Sequence, residues 1–195
     1  MIMNSPSFYI RARWQIERVV NEIPDPHIII SIYSANDTPA RVVKNEYTQG
    51  VLFLCFDDAD ENDHNDDFNN YQLFQPEQAR QVLEFVKQYE NVDIVVHCNM
   101  GMSRSPAIAA GLAHFYKRSD AVFFKDFCPN RYVYRTMLNE IYHGKPLLDF
   151  FRAYEEPEEV SVQKPQMAPK WVELEELSEE NKASQEEKEA GHGRE

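Results

Sequence analysis

Runs of β-branched residues that alternate with helical patterns constrain the fold of this chain more than any other feature. The runs cover residues 27–33, 51–56 and 92–97, and their continuous hydrophobicity is typical of strands buried on both faces of a sheet. A shorter apolar run over residues 8–10 predicts one more strand. Helical spacing of apolar residues covers 12–22, 76–89, 106–116, 132–142 and 147–154. This alternation predicts an α/β fold with a central, mostly parallel sheet flanked by helices.

The distribution of charge divides the chain into two parts. Residues 152–195 carry −7 of the net charge of −13 and contain few apolar side chains. A segment of this composition buries too little surface to offset the chain entropy lost on folding. We therefore expect one folded domain over residues 1–151 and an acidic tail over 152–195, largely disordered beyond about residue 178. Trp171, Val172, Leu174 and Leu177 form a short amphipathic patch in this tail, and the patch is a candidate for docking on the domain or on a partner.

Composition also excludes several classes of function. A net charge of −13 repels phosphates, so we expect no binding to nucleic acid or to an anionic membrane surface. No apolar run approaches the roughly 20 residues that a membrane-spanning helix needs. The N-terminal residues lack the apolar core of a signal peptide, and three cysteines are too few for a disulfide framework. These observations predict a cytoplasmic protein.

The residues with the most specific chemistry lie between the strand predicted at 92–97 and the helix that follows it. Cys98 ends the strand, and Gly101 permits a tight turn without a Cβ clash. In a strand–loop–helix unit, backbone N–H groups and the helix N-terminus form an anion site, which also favours the thiolate of Cys98. Arg104 adds a planar fork that can bind two phosphate oxygens, and Ser105 places a hydroxyl beside the sulfur.

Residues 97–105 read H-C-x2-G-x2-R-S, which resembles the active-site signature of the cysteine-dependent protein tyrosine phosphatases. The length of the chain is similar to that of their compact dual-specificity branch. The resemblance implies a phosphatase-type α/β fold over residues 8–151 and phosphoryl transfer with no metal or cofactor. It implies Cys98 as the nucleophile, Arg104 as the group that holds the phosphoryl oxygens, Ser105 as a donor to the sulfur and His97 as an organiser of the loop. The phosphate would be bound by Asn99, Met100, Gly101, Met102, Ser103 and Arg104.

A phosphatase of this family also needs a general acid that protonates the leaving oxygen. The resemblance places the acid in the loop after the strand at 51–56, and alignment of the strand ends favours Asp58. Cys98 follows Asp58 by 40 residues, which is longer than we expect for a compact member. The spacing therefore leaves Asp57 and Asp60 open as alternatives.

The stretch from residue 57 to residue 67 holds seven carboxylates, and its spacing imitates the start of a calcium-binding loop. Asp63 and Asn69 stand where such a loop needs Gly and Glu. We therefore expect a solvated acidic loop and no metal site. Its charge should repel highly anionic ligands.

Further candidates lie outside the motif. Asn130 belongs to a Pro-Asn pair that, in the dual-specificity branch, supports the phosphate loop, so the resemblance implies a supporting role for it. Arg131 is either a surface arginine or a contact for a phosphorylated partner. Cys55 is a candidate for a reversible disulfide with Cys98, and an inert thiol is the alternative. Residues 44–47, KNEY, weakly resemble a phosphotyrosine-recognition loop.

The loop composition narrows the expected substrate. Residues 99–103 contain no Lys or Arg, although family members that act on phosphoinositides tend to carry lysines there. We therefore expect a phosphorylated protein as the partner, with phosphotyrosine as the substrate and phosphoserine or phosphothreonine as further substrates. A phosphoprotein-binding pseudophosphatase is the main alternative. A sulfurtransferase would need a shorter loop, and an arsenate reductase would need resolving thiols.

Overall fold

The computed structural model describes residues 6–18, 23–59, 71–142 and 159–164, and these residues contain a five-stranded sheet. The strands are β1 (Phe8–Ala12), β2 (His27–Tyr33), β3 (Thr48–Cys55), β4 (Asp93–Cys98) and β5 (Val162–Gln163). Their order across the sheet is β3-β2-β4-β1-β5, and every pairing is parallel. The predicted α/β fold with a mostly parallel sheet is confirmed.

Helices connect or follow these strands. They are α1 (Arg13–Arg18), α2 (Pro76–Val86), α3 (Arg104–Phe115), α4 (Ala121–Asp126) and α5 (Arg131–Tyr142). The helices predicted near 76–89, 106–116 and 132–142 are confirmed. Helix α3 begins before Pro106 because a proline is tolerated in a first turn, where its missing N–H has no partner to lose. Helix α4 was not predicted, since six residues are too few to show a helical period.

Alternation along the strands gives the sheet two different apolar faces. Ile28 and Ile30 belong to the main core, which they form with side chains from α2, α3, α4 and α5. Ile29 and Val95 point the other way and pack with Ile16 of α1 in a smaller cluster. Because successive strand residues alternate between faces, neighbouring residues at the end of β4 also lie on opposite sides of the sheet.

The carboxyl ends of the parallel strands bring distant loops together. The segment after β1 contacts the segment after β4, because Arg13 N donates to Asn99 O at 3.1 Å. The segments after β2 and β3 also meet, and there Ala35 N donates to Asp57 Oδ1 at 3.2 Å. In open parallel sheets, ligands bind in the crevice outside these strand ends. The fold therefore points to this edge as the place for a functional site.

Residues near 160 extend the sheet, although their part of the chain was predicted to be tail. Strand β5 pairs with Phe8 and Tyr9 of β1. The Arg11 guanidinium donates to the carbonyl oxygens of Gln163 and Lys164, each at 3.2 Å. Composition did not predict β5, because the strand has only two residues and little apolar surface, and because its partners are distant in the sequence.

Some predictions concern residues outside the described ranges. They are Asp60, most of the acidic stretch 57–67, the end of the first helix at 19–22, the helix at 147–154, the patch at 171–177 and the tail beyond 178. The boundary predicted at residue 151 lies there as well. Within the described ranges, no helix is both long enough and apolar enough to cross a bilayer.

The C-terminus of α3 supports a stability prediction. Arg118 N donates to Ala113 O at 2.8 Å and Lys117 N donates to His114 O at 2.9 Å, which is a Schellman motif with Lys117 at a φ of 57°. We expect Lys117→Gly to raise the free energy of unfolding by about 0.5–1 kcal/mol, because glycine adopts this left-handed conformation without strain. Urea unfolding measures the change. Lys125→Gly in α4 is the control and should cost about 0.5–1 kcal/mol, so a similar loss for Lys117→Gly would contradict the prediction.

Candidate active site

The sulfur of Cys98 lies at the end of β4, with polar groups of the following loop around it. The residue is 2% exposed. The backbone N–H of Gly101 donates to Sγ at 3.3 Å, and Ser105 Oγ lies 3.3 Å from the same sulfur. The sequence predicted the Ser105 hydroxyl beside the sulfur and a turn at Gly101, and the structure brings all three residues together. A sulfur in this position can accept hydrogen bonds in its thiolate form.

Three carbonyl oxygens of the loop between β4 and α3 accept backbone hydrogen bonds from other segments. Asn99 O accepts from Arg13 N at 3.1 Å, Met102 O from Cys128 N at 3.1 Å and Ser103 O from Asn130 N at 3.2 Å. In a planar trans peptide the N–H points opposite to the C=O, so the N–H groups that follow these carbonyls point away from those segments. An inward ring of backbone N–H groups is a binding site for an anion.

Gly101 lets the loop close tightly against β1. Its φ is +71°, and a Cβ built there would lie 2.9 Å from Arg11 O and 3.1 Å from Ala12 N. Both neighbours are backbone atoms of a paired strand, so they cannot move aside. Glycine is therefore required at this position for its backbone conformation and for the close approach to β1.

The guanidinium of Arg104 is buried beside the loop, with the residue only 3% exposed. Its Nη1 donates to Phe56 O at 2.8 Å and to Ser34 Oγ at 2.9 Å. Its buried Nε has no hydrogen-bond partner among the described residues, and Asp58 Oδ2 lies 3.9 Å from it. A buried cation with an unused donor is costly, and a bound anion would satisfy it.

Asp58 is the candidate acid that reaches the loop. Its Oδ1 accepts from Ser103 Oγ at 2.7 Å and from Asn130 Nδ2 at 3.0 Å, and its side chain is 40% exposed. The Asp57 carboxylate instead binds backbone N–H groups of two other segments. Its oxygens accept from Ala35 N at 3.2 Å and from Gln72 N at 2.8 Å. The third candidate, residue 60, lies outside the described ranges. Geometry therefore favours Asp58 over Asp57.

His97 lies on the opposite face of the sheet from Cys98. It is completely buried, and its Nε2 is 2.8 Å from Ser31 Oγ of the neighbouring strand. Burial lowers the pKa of His97 to about 4, so the imidazole is neutral near neutral pH. The residue thus ties β4 to β2 below the loop and does not face the space around the Cys98 sulfur.

The rim of the site consists of loop side chains. Asn99 Nδ2 donates to Asp37 Oδ2 at 3.1 Å, which links the loop to the segment after β2. Met100 is 73% exposed and Met102 is 41% exposed. The sequence reasoning missed Asp37 and Ser34. Their position after β2 was the available signal, since the carboxyl ends of parallel strands meet at one edge.

Asn130 contacts both the loop and the candidate acid. Besides Asp58, its Nδ2 donates to Ala59 O at 3.2 Å, and its Oδ1 accepts from Val133 N at 3.0 Å at the start of α5. The supporting role expected for Asn130 therefore includes a direct bond to Asp58. Arg131, the next residue, is exposed.

Two other candidates from the sequence, Cys55 and residues 44–47, do not lie beside Cys98. Cys55 lies on β3, where it pairs with Tyr33 of β2. Strand β2 separates β3 from β4, so the axes of β3 and β4 are about 9.6 Å apart. Leu54, not Cys55, shares the face of Cys98, and a disulfide requires Cα atoms within about 7 Å. A Cys55–Cys98 disulfide is therefore excluded without a large backbone movement. Residues 44–47 precede β3 at the opposite edge of the sheet, where Tyr47 O accepts from His27 N.

Within the described ranges, no three His, Cys, Asp or Glu side chains form a group that could hold a metal ion. Most of the acidic stretch 57–67 is not among those residues.

No protein-family model matches this chain, and no curated protein matches it. The functional argument therefore depends on the geometry around Cys98 and Arg104.

The tight fit of Gly101 supports a second prediction. We expect Gly101→Ala to lower the free energy of unfolding by about 1–3 kcal/mol, because the added Cβ combines a positive φ with a contact to the β1 backbone. Urea unfolding measures the loss. Met100→Ala is the matched control in the same loop and should change stability by less than about 0.5 kcal/mol. Equal stability of the two variants would refute the prediction.

The low pKa of His97 predicts a pH-dependent stability. Above about pH 6.5 the imidazole is neutral in both folded and unfolded chains, so it contributes no pH dependence. Between pH 6.5 and about 4 the unfolded chain binds a proton that the folded chain does not, so stability falls as the pH falls. We expect the wild type to lose on the order of 3 kcal/mol more than His97→Asn across this range. Unfolding curves at several pH values test this, and parallel pH dependences would disprove it.

Proposed function

We propose that this chain is a phosphoric monoester hydrolase, namely a cysteine-dependent protein phosphatase of the dual-specificity type. Its substrates would be phosphotyrosine in proteins and, further, phosphoserine or phosphothreonine. The observation that carries the proposal is the buried Arg104 guanidinium with its unused Nε, beside a loop that holds the Cys98 sulfur. An anion is the ligand that satisfies this donor, and a thiolate is the nucleophile next to it.

The first chemical step transfers the phosphoryl group to sulfur. The Cys98 thiolate attacks phosphorus and forms an S–P bond, while the bond from phosphorus to the leaving oxygen breaks. The electron pair of that bond goes to the leaving oxygen, which takes a proton from Asp58. Arg104 and the inward N–H groups of the loop stabilise the charge on the three remaining phosphoryl oxygens.

The second step returns the enzyme to its starting state. A water molecule attacks the phosphorus of the phosphocysteine and gives a proton to the Asp58 carboxylate. The S–P bond breaks, its electron pair returns to Cys98 as a thiolate, and inorganic phosphate leaves. The hydroxyl of Ser105, 3.3 Å from Sγ, can donate to the departing sulfur and make it a better leaving group.

The rim supports an aromatic phosphate ester as the substrate. Met100 and Met102 expose thioether side chains there, and such side chains make favourable contacts with aromatic rings. The only charged side chain in residues 99–104 is Arg104 at the base, which favours a single phosphate over a polyanionic ligand. We place the activity in the cytoplasm, where a thiol stays reduced.

The test is hydrolysis of a small aryl phosphate and of phosphotyrosine at about pH 6 with EDTA present. Wild type should turn over both, Cys98→Ser should be inactive, and Arg104→Met should lose about 10²–10³-fold. Asp58→Asn should lose about 10²-fold on phosphotyrosine, which has a poor leaving group. Cys128→Ser changes an exposed thiol outside the chemistry and should retain wild-type turnover.

Asp57→Asn provides a matched control for the acid, since the Asp57 carboxylate accepts from the backbone N–H groups of Ala35 and Gln72 and, among the described residues, has no bond to the phosphate loop. A larger loss for Asp57→Asn than for Asp58→Asn would move the acid to residue 57. Activity that survives Cys98→Ser would rule out the thiol mechanism. A wild type that binds vanadate but hydrolyses neither ester would be a phosphoprotein-binding module instead of an enzyme.

A further inference from the structure

The two oxygens of the Asp58 carboxylate have different surroundings. Oδ1 accepts two hydrogen bonds, from Ser103 Oγ at 2.7 Å and from Asn130 Nδ2 at 3.0 Å. Oδ2 accepts none from the described residues and is the oxygen nearest to Arg104, at 3.9 Å from Nε. This asymmetry decides which oxygen can carry a proton, because an oxygen that already accepts two donors is poorly placed to hold one.

We propose that Ser103 and Asn130 are positioning residues that hold Asp58 over the phosphate loop and confine its proton to Oδ2. This inference rests on the proposed phosphatase function. With Oδ1 occupied, the neutral acid carries its proton on the oxygen directed toward the guanidinium that binds the phosphoryl group. The leaving oxygen takes that proton, and Oδ2 is then the base that receives one from water in the second step.

The positioning residues are themselves fixed by the loop they serve. Ser103 directly precedes Arg104, and Ser103 O accepts from Asn130 N at 3.2 Å. The Asn130 side chain is fixed at both ends, since its Oδ1 accepts from Val133 N and its Nδ2 also bonds Ala59 O. The acid and the phosphate-binding arginine are therefore positioned by the same short segment.

This arrangement matters because the Asp58 side chain is 40% exposed. An exposed carboxylate without partners samples several rotamers, and freezing it during the reaction costs conformational entropy. The hydrogen bonds from Ser103 and Asn130 fix the rotamer of Asp58 before substrate binds, so this entropy is not lost during the reaction. Their loss should therefore impair only the steps that need proton transfer, and it should leave phosphate binding intact.

The test compares phosphate esters whose leaving groups differ in basicity. A dinitrophenyl ester needs no proton on its leaving oxygen, whereas phenyl phosphate and phosphotyrosine do. For Ser103→Ala we expect kcat/KM to fall about 10-fold or more on phenyl phosphate and less than about 3-fold on the dinitrophenyl ester. Ser103→Thr keeps the hydroxyl and should restore activity on phenyl phosphate. Orthovanadate affinity should stay within about 2-fold of wild type.

Two further variants separate a positioning role from a merely structural one. Asn130→Ser keeps an N-cap acceptor for α5 but removes the amide donor, and it should reproduce the same dependence on leaving group. In an Asp58→Asn background, Ser103→Ala should cost no more than about 2-fold, because its effect acts through Asp58. Ser119→Ala, beyond the far end of α3, is the control that should leave every ester unaffected.

The outcomes distinguish this inference from the function on which it rests. An equal loss on all esters, weaker vanadate binding or an additive loss in the Asp58→Asn background would overturn the positioning role while the phosphatase function stands. A wild type that hydrolyses no ester in a Cys98-dependent way would overturn both. Losses in kcat/KM that are confined to esters with basic leaving groups, with vanadate affinity retained, would support the positioning role.

Discussion

The buried guanidinium of Arg104 is the interaction on which the rest of the site depends. Removing a cation from water costs several kcal/mol unless acceptors replace the lost hydration. Here the acceptors come from the ends of two other strands, as Phe56 O after β3 and Ser34 Oγ after β2. Those bonds use only Nη1, so the charge is held in place and not fully neutralised. The parallel sheet provides this arrangement, because it places three strand ends at one edge around the arginine.

The alternation of side chains across β4 divides the remaining roles between adjacent residues. Cys98 faces the helices and the loop, where donors surround its sulfur. His97 faces the smaller cluster and bonds Ser31 of β2 as a neutral imidazole. The histidine therefore stabilises the strand that carries Cys98, the proposed nucleophile, and its imidazole lies on the other side of the sheet from the sulfur. Because adjacent strand residues point to opposite faces, His97 can stabilise the sheet while Cys98 faces the loop.

Local patterns predicted much of this molecule, and contacts distant in sequence account for what they missed. Continuous β-branched runs and the spacing of Cys98 and Arg104 are local signals, and they predicted the sheet, most helices and the loop. The bond from Ser103 to Asp58 spans 45 positions and the bond from Arg104 to Ser34 spans 70, so neither leaves a trace in the sequence pattern. Strand β5 likewise depends on distant contacts, which are its pairing with β1 and a hydrogen bond from the Arg11 side chain to Gln163 O. The preference for Asp58 over Asp57 needed tertiary structure, because both residues follow the same strand and differ only in their distant partners.

The close approach of Gly101 to Arg11 has a consequence for how the molecule matures. The loop packs on the β1 backbone at Gly101, and β1 joins β4 through pairs such as Phe8 and Ile94, which are 86 positions apart. Closing so long a loop costs conformational entropy, and chains rich in distant pairings fold slowly. The packing of the proposed anion site therefore depends on a strand that is distant in the sequence, although the segment between β4 and α3 supplies the loop itself.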